Sequence, residues 1–112
     1  MLENLKLGPE GYKNIAILGT AGSSMALAPF KDSSWSIWAC SPGSFPICAQ
    51  KRSDAWFELH RWMPYTPGRL GSPGTRQWFS PEYTRFLQEH KGPVFMTEEQ
   101  PSIPSAVRFP YQ

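Results

Sequence analysis

The sequence predicts an α/β domain built on a small parallel sheet with helices on its faces. Three observations lead there. Lys13 to Leu18 is a short, mostly apolar run that ends at Gly19, the signature of a buried strand of the parallel type. Gly19 to Ser24 is a stretch of small residues that feeds a short helical segment. Beyond it the order is strand, strand, helix, strand, which completes a βαβ-type alternation.

Each element has a local cause. Residues 1–12 are polar, hold Gly8, Pro9 and Gly11, and read as an N-terminal arm. The first strand covers 13–18. Met25 to Ala28 are good helix formers behind a serine cap, and Pro29 limits that helix to a turn or two. Trp35 to Cys40 is aromatic and β-branched enough for a second strand. Residues 41–53 contain Ser-Pro-Gly and a second proline and read as a loop. Ala55 to His60 is the third strand, with Phe57 and Leu59 facing one way and Glu58 and His60 the other. Residues 63–79 form a Gly/Pro-rich, basic-tinged loop. Ser80-Pro81-Glu82 opens the clearest helix, expected over 81–91, with Tyr83, Phe86 and Leu87 on one face and Gly92-Pro93 at its end. Pro93 to Met96 is a fourth strand, and a proline-rich tail follows. The first three strands are expected to be mutually parallel, and 13–112 to form a single domain.

Composition narrows the function classes. The chain has 112 residues, which supports one domain with a real core. Sixteen aromatic residues (seven Phe, five Trp, four Tyr) exclude a generic disordered chain. Nine glycines and twelve prolines make it turn-rich and exclude a helical bundle. A net charge of +2 argues for neither nucleic acid nor an anionic membrane as partner. The sequence has no membrane-length apolar run and no signal-type N-terminus, so a cytoplasmic protein is expected. Cys40 and Cys48 are too few for a disulfide scaffold, and with His60 and His90 they lack the paired spacing of zinc ligands. No metal and no cofactor is expected; Cys40 reads as a buried small hydrophobe.

Two segments carry chemistry. Gly19, Thr20, Ala21, Gly22, Ser23 and Ser24 lie where a strand hands over to a helix. Small side chains there admit a ligand to the backbone, helix-end N–H groups attract an anion, and three hydroxyls add donors. The pattern is neither of the standard dinucleotide or phosphate-loop fingerprints, and a tight turn without ligand explains it equally well. Glu58 and His60 end the third strand and can serve as an acid/base pair, or simply cap the sheet edge. Trp38 is a candidate to stack on a base, although its type is more often core. Arg69 and Arg76 are candidate phosphate clamps in the long loop, with solvated loop charge the preferred reading.

Taken as a series, Ile15-Ala16-Ile17-Leu18-Gly19-Thr20-Ala21-Gly22-Ser23-Ser24, Leu27-Ala28-Pro29-Phe30, Trp35 to Cys40, Trp56-Phe57-Glu58-Leu59-His60, Pro93-Val94-Phe95-Met96, Ile103-Pro104-Ser105 and Phe109-Pro110 resemble small Rossmann-like proteins of tailed bacteriophages and prophages. The resemblance spans most of 13–111. Members carry a "GTA-x-SS" loop, a "W-x-IW" strand and an "FELH" strand. The loop is also similar, more weakly, to the nucleotide-end loop of some Rossmann-like glycosyltransferases. Gly22 stands where the family pattern has proline, and relatives continue with a further helix and strand. The resemblance thus implies an incomplete Rossmann-like sheet, half of a doubly wound fold, in a phage protein acting in the cytoplasm of an infected bacterium.

Three functions compete. The first is an accessory protein that binds a nucleotide-like or other phosphate-bearing ligand at the first βα loop, for instance to sequester a host nucleotide signal. The second is a nucleotide- or nucleoside-acting transferase or glycosidase that uses Glu58 and His60. The third is a structural or protein-interaction module. A sheet with one long helix leaves apolar surface uncovered, so a homo-oligomer is expected.

Overall fold

A computed structural model describes residues 5–40, 43–62 and 79–109. They form a five-stranded, all-parallel sheet in the sequential order β1-β2-β3-β4-β5, with helices interleaved in a Rossmann-like arrangement. The strands are β1 (Asn14–Ile17), β2 (Trp35–Cys40), β3 (Ala55–Glu58), β4 (Val94–Met96) and β5 (Ala106–Arg108). The helices are α1 (Gly22–Met25), α2 (Phe45–Gln50) and α3 (Pro81–Glu89). The first three strands are parallel, as the alternation predicts, and the four expected strands and the helix expected over 81–91 lie within a residue or two of their places.

The differences have local reasons. Helix α2 occupies the segment expected as a loop. Pro46 falls in its first turn, where the missing N–H has no intrahelical partner to lose. Strand β5 was hidden in the proline-rich tail because it is only three residues long. Helix α1 starts at Gly22 rather than Met25, and its N-cap is Ala21, with no side-chain cap bond. The serine cap expected there is therefore absent. Helix α3 does carry its predicted cap, Ser80 Oγ accepting from the Tyr83 amide at 3.2 Å. Cys40 is half-buried, and the buried cysteine is Cys48, whose thiol is pushed up to about 12 chiefly by burial.

The strand order never reverses among the described strands. Right-handed crossovers that step one strand at a time in one direction deposit every connection on the same face. The core follows suit. Ala16 and Leu18, Ile37 and Ala39, Trp56, Val94 and Met96, and Ala106 share one face in register. Met25 of α1, Cys48 of α2 and Tyr83 and Leu87 of α3 pack on that face, with Phe79 and Ile103 from connecting segments. Trp56 sits at the centre, fully buried, edge-on to Phe86 at 4.7 Å between centroids.

The second face carries Ile15 and Ile17, Ser36, Trp38 and Cys40, Ala55 and Phe57, Phe95 and Val107. Phe57 stacks on Phe95 at 4.9 Å, and Phe109 closes on both. No described helix covers this face; the N-terminal arm crosses part of it. The Leu7 carbonyl accepts from Ser36 Oγ and from the Trp38 indole, and Leu5 and Lys6 share a cleft with Gly92, Pro93 and Val107. Gly8 allows the approach: its φ is +149°, and a Cβ would meet Ser36 Oγ at 2.5 Å. Ile17, on edge strand β1, stays 78% exposed.

Asp54 ties the amino edge together. Its carboxylate accepts the Ile37 amide at 2.7 Å and Arg52 Nε at 3.1 Å, while the Arg52 guanidinium also donates to the Phe30 and Trp35 carbonyls. The Asp54 carbonyl abuts Gly92. Next to it, the buried His90 ring bonds Ser53 Oγ at 2.7 Å and the Gly92 carbonyl at 2.9 Å. A carbonyl only accepts, so Nδ1 holds the proton and Nε2 accepts from Ser53. Most of the long loop expected over 63–79, with Arg69 and Arg76, lies outside the described residues.

Two predictions follow from this edge. A Cβ at Gly92 would lie 1.9 Å from the Asp54 carbonyl oxygen, so Gly92→Ala should cost about 3 kcal/mol, the upper end of overpacking costs, in chemical denaturation. Burial holds the His90 pKa below its ordinary 6.5, so the unfolded chain takes up that proton more readily. Stability should be full above pH 6.5 and decline as pH falls below it, a slope that His90→Gln should remove from thermal denaturation curves. Asp32, held below 3.8 by hydrogen bonds from Ser34, acts only in a separate, more acidic window.

Candidate functional site

The carboxyl edge of the sheet is where α/β proteins gather their ligands. Glu58, the last residue of β3, points from the core face and is fully buried. Its carboxylate accepts three hydrogen bonds. Oε2 takes the His60 amide at 3.0 Å and His60 Nδ1 at 2.8 Å, and Oε1 takes the Tyr83 hydroxyl at 2.6 Å. The Tyr83 oxygen in turn accepts the Trp56 indole N–H at 2.9 Å. A buried charged network of this kind is costly unless every member is satisfied, and functional sites are where such cost is commonly met.

The chemistry follows from donor and acceptor types. A carboxylate only accepts, so Nδ1 of His60 carries a proton, and in the neutral ring the lone pair is on Nε2. The His60 side chain is 39% exposed while Glu58 is wholly enclosed. A buried acid thereby orients an imidazole that reaches the surface, an arrangement chemically capable of proton transfer.

Gly19 to Ser24 follow β1 and run into α1, and all six residues are exposed. A Cβ at Gly19 or Gly22 would meet nothing within 4 Å, so the loop is open on its outer side. Ser24 Oγ donates back to the Ala21 carbonyl at 3.1 Å instead of capping the helix. Ser44 Oγ, buried at the start of α2, donates to the Gly19 carbonyl at 3.1 Å and fixes the loop against the next crossover. A cleft of about 200 Å³ between β1 and α1 includes Gly19 and Ser24. That is below the usual small-molecule pocket of about 300–1,000 Å³, and apart from Gly19 and Ser24 its lining is aliphatic. A larger cleft, about 620 Å³, lies at the far end of α1 among Ala26, Pro29 to Ser33 and Lys51, away from the Glu58 edge.

The fold thus brings the β1 loop and the Glu58–His60 pair to one edge, two strand spacings or about 10 Å apart. Trp38 does not join them. Its ring is on the second face, bonded through the indole to Ser36 Oγ at 2.8 Å and to the arm, and tilted against Phe57. Its strand position suggested the loop; the pleat sends its side chain away. Among the described residues, no three of His, Cys, Asp and Glu converge to hold a metal, and no helix is long and apolar enough to cross a membrane.

Tyr83 and Trp56 are the members of the network that sequence reading missed. Both fit the apolar pattern of the core. The available signal was weak but physical: a buried phenol or indole needs a polar partner. No family model matches this sequence, and comparison with curated proteins and with solved structures gives no match.

Glu58→Gln puts one amide NH₂ among three groups that donate to Glu58, so one pairing must fail whichever way the amide turns. Denaturation should show a loss of about 1–3 kcal/mol relative to the parent chain.

Proposed function

We propose that this chain binds a nucleotide-like, phosphate-bearing ligand at the carboxyl edge of its sheet and acts on it as a transferase or glycosidase, with His60 moving the proton. The observation that carries this reading is the 2.8 Å contact between the buried Glu58 carboxylate and His60 Nδ1. It orients Nε2 for acid/base work in a way that ligand binding alone does not require. The open Gly19–Ser24 loop, with hydroxyls from Thr20, Ser23 and Ser24, is the reading's phosphate end. The resemblance to phage-encoded proteins supports a role in the cytoplasm of an infected bacterium. Exposed Ile15 and Ile17 on edge strand β1 support self-association into a homo-oligomer.

A second reading, binding without turnover, is favoured by a specific observation: the loop and its cleft are complete without His60. Sequestration of a host nucleotide signal is the role it implies.

One experiment separates the two. The intact chain is purified under native conditions, its mass and any carried ligand are read by mass spectrometry, and it is then incubated with nucleotides and nucleosides. The expected outcome is an oligomer, a bound phosphate-bearing ligand and turnover that His60→Ala lowers by about 10²-fold or more while affinity holds. Gly22→Val, which has room in the fold, should weaken binding at least tenfold in calorimetry. Binding without turnover supports the second reading, and unchanged affinity in Gly22→Val removes the loop from either.

A further inference from the structure

The Glu58–His60 pair has a third member on a different element. Resting on the acid/base reading above, we propose that Tyr83 of α3 is a positioning residue for His60, acting through Glu58. The direction of each hydrogen bond is forced. An indole N–H can only donate, so the Trp56 Nε1 contact of 2.9 Å occupies a lone pair of the Tyr83 oxygen. The carboxylate can only accept, so at 2.6 Å the Tyr83 proton points at Glu58 Oε1. The other oxygen, Oε2, is then the one that meets the His60 amide and Nδ1.

Both carboxylate oxygens are thereby held, one from α3 and one from the chain after β3. The terminal torsion of a glutamate is broad and has little preference of its own. With Oε1 released, the carboxylate turns, and Oε2 no longer faces Nδ1 in one geometry. Trp56 and Tyr83 are both fully buried in the core, with rings 6.2 Å apart, so packing fixes the far end of the chain of bonds. The orientation of His60 is therefore set by the seating of α3 on the sheet and not only by its own strand end. A merely structural Tyr83 would satisfy Glu58 and leave the His60 tautomer alone.

The test reads that tautomer directly and needs no substrate. The full chain is labelled with ¹⁵N in its histidine rings, and the His60 ring nitrogens are observed above the ordinary imidazole pKa of about 6.5. In the parent chain Nδ1 is expected to carry the proton. In Tyr83→Phe, with the amide spectrum confirming the fold, the Nε2–H tautomer should rise at least severalfold. A folded Tyr83→Phe that keeps a single Nδ1–H tautomer overturns the positioning role. Should Tyr83→Phe not fold, the chain with 3-fluorotyrosine, whose hydroxyl is a stronger donor, takes its place. A shifted His60 Nδ1 resonance supports the proposal, and an unmoved one overturns it. An Nε2–H tautomer in the parent chain removes the acid/base reading itself, a result distinct from either Tyr83 outcome.

Discussion

A parallel sheet wound one strand at a time in one direction collects all its connections on one side, and the remaining structure answers to that constraint. The helical side receives α1, α2 and α3 and the dense aromatic cluster of Trp56, Phe79, Tyr83 and Phe86. The other side receives no described helix and is crossed by the extended arm. An arm makes a thin cover. It engages Ser36 and Trp38 through one carbonyl and leaves the outer edge, at Ile15 and Ile17, open to solvent.

The same winding decides where polar groups can gather. A sheet whose order reverses opens a crevice at the reversal. This order has no such reversal among the described strands. The polar cluster at its carboxyl edge is instead gathered around one buried acid. Glu58 lies on the core face at the end of the central strand, where neighbours from β3 and α3 supply donors to both oxygens. The opposite edge uses a half-buried acid, Asp54, whose carboxylate takes the Ile37 amide of β2 and Arg52 Nε, while its carbonyl abuts Gly92 before β4. The two carboxylates have the same physics and different exposure. Asp54 and its arginine make structural contacts, whereas the wholly enclosed Glu58 accepts from a histidine that reaches the surface.

The β1 loop and the Glu58 cluster are linked by geometry rather than by contact. The loop is pinned by Ser44, which belongs to the second crossover, and a small cleft lies beside it.

What the sequence determined by itself is whatever rests on neighbours in the chain. Apolar runs of strand length, the Ser80-Pro81 helix start and the Gly92-Pro93 stop placed β1 to β4 and α3, because period, caps and breakers act over a few residues. The pairing of Glu58 with His60 was legible for the same reason, since two residues of a strand end lie on one side. Helix α2 escaped because its proline sits where a helix tolerates one, and β5 because three residues carry too little pattern. Only the tertiary structure decided that Glu58 is buried, that Tyr83 and Trp56 complete its hydrogen bonds, and that Trp38 turns to the arm. Those facts depend on residues brought together from 25 to 31 positions apart, and on which face of the pleat each side chain occupies once the strands are in register.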